Sequence, residues 1–178
     1  MTSILKHALA IMLVSQLSYA ATVVHKNQYF DIELIDYGIY EVHRVEARQN
    51  KNTGDGRVWG VDECRLLHKT DVIPMKLLTS FGVRFILYSK LANNDIKNII
   101  PVNVKVKHPA FTNPDTNKES VQEEWISLQA PGKMIYIGYK FDRQYEMVPG
   151  EWTIELRHNN ELLIEKKYIV QQHPVESK

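Results

Sequence analysis

After its first twenty residues the chain alternates apolar and polar residues one by one, a period that admits strands and excludes long helices. Phe30, Ile32 and Leu34 alternate with Asp31 and Glu33. Val102, Val104 and Val106 alternate with Asn103, Lys105 and Lys107, and Trp152, Ile154 and Leu156 with Thr153, Glu155 and Arg157. Successive side chains of a strand point to opposite faces, so each set gathers its apolar members on one side. A helix needs apolar residues at i, i+3, i+4 and i+7, and no long segment supplies them. Residues 83–88 and 134–141 are rich in β-branched and aromatic residues and are predicted as strands covered on both faces. Gly138 inside the second marks a bulge or a close backbone approach. Residues 118–125 fit a short helix and residues 121–128 fit an edge strand, and the pattern does not choose between them.

The turns agree with this reading. Residues 52–56 hold Asn52, Gly54 and Gly56, a cluster suited to a hairpin tip, expected to be mobile. Pro131-Gly132 and Pro149-Gly150 each precede a strand. Asn159-Asn160 separates residues 152–157 from 161–170, and Asn tolerates the left-handed backbone of a tight turn, so these segments form the last hairpin. Residues 112–117 are polar, contain Pro114 and read as a loop. About eight short strands with Gly/Pro turns predict an all-β fold, an antiparallel sandwich of about seven to nine strands with little helix.

The first twenty residues have a different character. Lys6 precedes an apolar stretch over residues 8–17 broken only by Ser15 and Gln16, and Ser18-Tyr19-Ala20 places small residues at −3 and −1 of a cut before Ala21. The stretch is shorter than the roughly 20 residues a membrane span needs, so it reads as a secretory signal peptide cleaved after Ala20. Residues 21–178 are then one sandwich domain with its core over about residues 28–171 and frayed ends at 21–27 and 172–178. No later apolar run is long enough for a transmembrane helix. Export makes the chain periplasmic or secreted. Only Cys64 is available for oxidation, so no internal disulfide forms; a small buried hydrophobe is the expected role, with an intermolecular disulfide or a reactive thiol as the alternatives. Lys+Arg 22 against Asp+Glu 21 removes the electrostatic reason to expect nucleic acid or an anionic membrane as partner.

Val148-Pro149-Gly150-Glu151-Trp152, followed by the strand ending Tyr168-Ile169-Val170, resembles the last two strands of bacterial immunoglobulin-like domains. With Tyr37-Gly38-Ile39-Tyr40 and Lys107-His108-Pro109, the chain over roughly residues 28–171 resembles a family of secreted bacterial proteins, the domain of unknown function DUF3859. The resemblance implies an immunoglobulin-like sandwich and an exported location. It transfers no catalytic residue, and a fold alone carries no function.

The search for chemistry returns little. His25, His43, His68, His108, His158 and His173 show no H-x-H or H-x-x-x-H pairing, so no metal or other cofactor is predicted. Asp62-Glu63-Cys64 with His68 is the one local group of ligand type; alternation splits it across two faces, and a half-exposed turn before a strand is the expected structure. Residues 50–61 fail the EF-hand pattern, and no phosphate loop or nucleophile elbow occurs. A hydrolase or thiol enzyme would have to assemble from His43, His68 and Cys64. The expected protein is therefore not an enzyme. It is an exported immunoglobulin-like domain that binds another cell-envelope protein or, alternatively, a glycan or small ligand through aromatics near Trp59. The candidate interaction surface is Tyr40, Arg57, Trp59 and Trp125, because Trp, Tyr and Arg dominate binding hot spots.

Overall fold

The structure is a computed structural model that describes residues 21–90 and 99–172. The expected leader over residues 1–20, and His173 with the rest of the expected C-terminal fray, lie outside the described residues. Two sheets face one another. The first holds β1 (Thr22–Val24), β10 (Glu161–Gln171), β9 (Gly150–His158), β6 (Ile100–Asn113) and β7 (Lys118–Gln129) in that order, with β4 (Val72–Pro74) also beside β10. The second holds β3 (Arg57–His68), β2 (Phe30–Gln49), β5 (Ser80–Ser89) and β8 (Met134–Lys140). Neighbours run antiparallel except β4 and β10. This is the expected all-β sandwich. Its strands number ten among the described residues, because β1 and β4 are three-residue pairings too short for alternation to register. A single 3-10 turn, Gln144–Glu146, is the one helical element among the described residues, and no described helix is long and apolar enough to cross a membrane.

Several local expectations are corrected. Of the two readings left open here, the edge strand is the one that forms: β7 spans Lys118–Gln129 and among the described residues has β6 as its one strand partner. The predicted loop over 112–117 shortens to a turn, since Thr112 and Asn113 pair with Glu119 and Lys118, and Asn117 takes the positive φ of 52°. Thr22–Val24 is not frayed but pairs with Ile164, Glu165 and Lys166. Asp62, Glu63 and Cys64 lie inside β3 rather than in a turn. The last hairpin turns at Asn159 and Asn160, with φ of 48° and 66°, as its sequence predicts.

The inward faces meet in one apolar layer around Trp152, which is fully buried. Its ring meets Phe81 and Phe141 edge-on at 5.8 and 5.4 Å and tilts against Tyr139 at 5.0 Å, so both sheets contribute to one aromatic cluster. The Trp152 indole N–H donates to the Val148 carbonyl at 3.1 Å, satisfying the one polar atom it brings inside. Tyr168 crosses between the layers, its hydroxyl donating to the Gly82 carbonyl at 2.5 Å.

β2 controls what stands outside this core. Its first half, Phe30 to Tyr40, pairs with β5, and from Ile39 to Gln49 it pairs with β3. Beyond Tyr40 the two strands continue without β5 as a two-stranded arm. Register shifts between Ile39/Tyr40, His43/Arg44 and Arg44/Ala47 bend and twist it, as bulges do. Where the arm leaves the sheet, Gly38, Gly82 and Gly138 stand in register across β2, β5 and β8. A Cβ on Gly138 would overlap the Phe81 carbonyl oxygen and the Tyr136 hydroxyl, so the close approach expected there is present.

Candidate functional site

The arm reaches the edge of the opposite sheet. Its tip, expected to be mobile, is docked on β7. The Asn50 amide donates to the Glu124 carbonyl at 3.2 Å, and the Glu124 N–H donates to the Asn52 carbonyl at 3.2 Å. The Gly54 N–H points between both carboxylate oxygens of Glu123 at 2.8 and 2.7 Å, while the Asn113 amide donates to the Gly54 carbonyl at 2.8 Å. Arm, β7 and β8 thereby frame a cavity of about 690 Å³, within the range of small-molecule sites.

Three of the four candidate residues line it. Arg57 and Trp59 come from β3, and Trp125 comes from β7. Register pairs Arg57 with Gln49 and Trp59 with Ala47, so Arg57 and Trp59, two apart on one strand, share a face. Trp59 is half-buried; the Arg44 guanidinium lies 5.4 Å from its ring centre and also donates to Asp142 at 2.5 Å. The Trp59 indole N–H is shielded from solvent and has no hydrogen-bond partner among the described residues. Tyr40 is a correction. It is only 2% exposed, its hydroxyl donates to Asp36 at 2.7 Å, and its ring packs edge-on against Tyr136 at 4.9 Å. Side chains from β5 and β8 cover it, with Arg84 bonded to Asp36 beside it, so Tyr40 offers no surface to a partner.

Two further residues of the cavity wall, Glu123 and Glu146, were not candidates on sequence. Each is only 2% exposed. Glu146 accepts the Asp142 and Arg143 N–H groups at 2.7 and 2.9 Å. Burial outweighs these bonds and pushes both carboxyls up to about 7, with the neighbouring Glu146 charge adding to the rise at Glu123. His108 lies 3.9 Å from Glu123, stacked on Phe111 at 4.4 Å, with its Nε2 unpartnered. Burial lowers the His108 pKa, so this contact joins a neutral imidazole to a carboxyl that resists ionisation and is not an ion pair. One signal for Glu123 existed: alternation puts it on the same face of β7 as Trp125. Glu146 lies in a 3-10 turn with no periodicity to read.

The constellation required for a thiol enzyme does not form. His43 pairs with the Asp62 carboxylate at 2.8 Å on an exposed face. Register puts His43 beside Glu63 and Cys64 beside Val42, so His43 and Cys64 take opposite faces. His68 is four residues from Cys64 along the same strand, roughly 13 Å at the usual rise. Burial pushes the half-buried Cys64 thiol up, away from the reactive thiolate. Among the described residues no three His, Cys, Asp or Glu side chains come together as a metal site.

Two facing layers, antiparallel apart from the short β4–β10 pairing, make the chain an immunoglobulin-like β-sandwich. An immunoglobulin-like protein from Pseudomonas aeruginosa superposes with a TM-score of 0.55 at 22% identity, covering 86% of this chain and 99% of that one, a likeness of fold. Residues 29–170 match the family described as Domain of unknown function (DUF3859), and the chain belongs to that family. No curated protein matches it.

Proposed function

We propose that the chain is an exported, non-catalytic binding module, trimmed after Ala20 to one domain over residues 21–178, whose cavity beneath the arm takes up a glycan. The observation that carries this reading is the meeting of Arg57 and Trp59 with Trp125, more than sixty positions further on, around one cavity of about 690 Å³. Indole rings supply flat apolar faces for a sugar ring, and polar groups around them fix its orientation. The leader pattern supports export.

Tryptophan fluorescence titrated with cell-wall and capsular oligosaccharides tests the reading. A saturable change is expected, and Trp59→Ala is expected to weaken binding about 10-fold or more, as loss of a central aromatic anchor does. An unchanged response in that variant contradicts the reading.

A second reading, an envelope protein as partner, rests on β7. It is an edge strand, and Val121, Ile126 and Leu128 stand 53%, 63% and 57% exposed along it. The arm tip takes the backbone groups of Glu124, and the rest of such an edge accepts a partner strand through the groups left unpaired. Under that reading, Val121→Lys, outside the cavity wall, abolishes cross-linking to the partner in the native envelope and leaves saccharide binding intact.

A further inference from the structure

We infer that the saccharide taken up beneath the arm is acidic, with carboxylate-bearing sugar units. This rests on the glycan reading and follows from an inventory of the hydrogen-bonding groups around the cavity. The acidic groups are already engaged. Glu123 accepts from Gly54, Glu146 from Asp142 and Arg143, Asp142 from Arg44, and Asp55 from the Arg57 backbone N–H at 2.9 Å. The basic groups are not. Arg48, Arg57 and Lys140 all line the cavity, and among the described residues none of their side chains has a carboxylate within salt-bridge distance or a hydrogen-bond acceptor. The shielded indole N–H of Trp59 adds a fourth unused donor.

Guanidinium and ammonium groups donate and never accept, and an indole only donates. The charged and buried capacity left open at this site is therefore of one kind, and it calls for a ligand rich in acceptors. A sugar carboxylate meets that demand. Its planar two-oxygen edge matches the guanidinium fork of Arg57, and its ring can lie against Trp59 on the same face of the arm.

The test uses paired probes differing only in charge: oligogalacturonate, oligomannuronate and hyaluronan tetrasaccharide, each against its carboxyl-reduced neutral counterpart. Calorimetric titration of the mature chain at pH 7 is expected to show at least one acidic probe binding about 10-fold or more tightly than its reduced form. The Arg48→Ala/Arg57→Ala double variant is expected to erase that difference, and added salt to narrow it. Both residues are exposed, and an unchanged melting temperature confirms that the variant is folded. Equal binding of acidic and reduced probes, still sensitive to Trp59→Ala, overturns the acidic ligand and leaves the glycan reading standing. Binding of none of the probes overturns the acidic ligand, and the broader oligosaccharide titration then decides the glycan reading separately.

Discussion

Gly38→Ala is expected to destabilise the chain by about 4 kcal/mol, through backbone strain and overlap acting together. Gly38 has φ of +139°, a conformation L side chains rarely adopt, and an added Cβ would overlap the carbonyl oxygen of His68 and lie 3.0 Å from the Lys69 Cα. Both obstacles are backbone, so no rotamer change relieves them. The position matters beyond stability. Gly38 stands where β2 passes from β5 to the arm, and the strand that carries Trp59 ends against it at His68. A shift there propagates to the cavity wall. Urea denaturation measures the loss, and a midpoint close to that of the unsubstituted chain contradicts this account of the crease. Gly56→Ala is the control. It tests positive φ of 76° without contact, because nothing lies within 4 Å of the added Cβ, and a smaller loss is expected.

Stability is expected to fall as pH rises from about 4.5 to about 7, and Glu123 and Glu146 are the cause. Both carboxyls have an ordinary value of 4.5 and sit near 7 in the folded chain. Below 4.5 both states hold the proton and the contribution is complete. Between 4.5 and 7 the unfolded chain releases its proton while the folded chain keeps it, so stability is withdrawn, and above 7 the withdrawal is finished. A rise of this size corresponds to about 3 kcal/mol for each carboxyl. His108 acts in the opposite sense. Its pKa is lowered, so the unfolded chain takes up a proton below 6.5 that the folded chain refuses, which removes stability toward acid. A variant of one carboxyl separates the two effects, because it leaves the imidazole unchanged. Glu123→Gln keeps an oxygen for the Gly54 N–H and removes the charge. That variant is expected to be more stable than the parent by about 3 kcal/mol at pH 8 and nearly equal to it at pH 5. Equal stability of the two proteins at pH 8 contradicts the assignment. The same titration bears on the arm, because Glu123 holds its tip.

The sheets were legible because burial imposes a period. Val102, Val104 and Val106 are buried as their alternation demands, and so are Trp152, Ile154 and Leu156. Alternation identifies a face without identifying what covers it. Tyr40 shows the limit: it is buried because Tyr136 and Arg84 arrive from strands about 40 to 100 positions away, and no local pattern encodes that. The docked tip shows it again. Residues 52–56 have the composition of a free hairpin end, yet Gly54 meets Glu123, 69 positions on. Nothing in the sequence sets Glu123 apart, since solvent is the default for a carboxylate on a strand, and only tertiary contact reverses the default. Arg57, Trp59 and Trp125 were recognisable by residue type, and the arm's bend, set by bulges and by the glycine crease, is what brings them to one place.

The three tryptophans allow a direct test of the cavity. In a nitrogen-15 spectrum each indole N–H gives its own resonance, and titration with the tightest acidic oligosaccharide should move those of Trp59 and Trp125 while that of Trp152, bonded to Val148 in the core, stays in place. A titration in which saccharide binds and neither the Trp59 nor the Trp125 resonance moves would contradict a binding site beneath the arm.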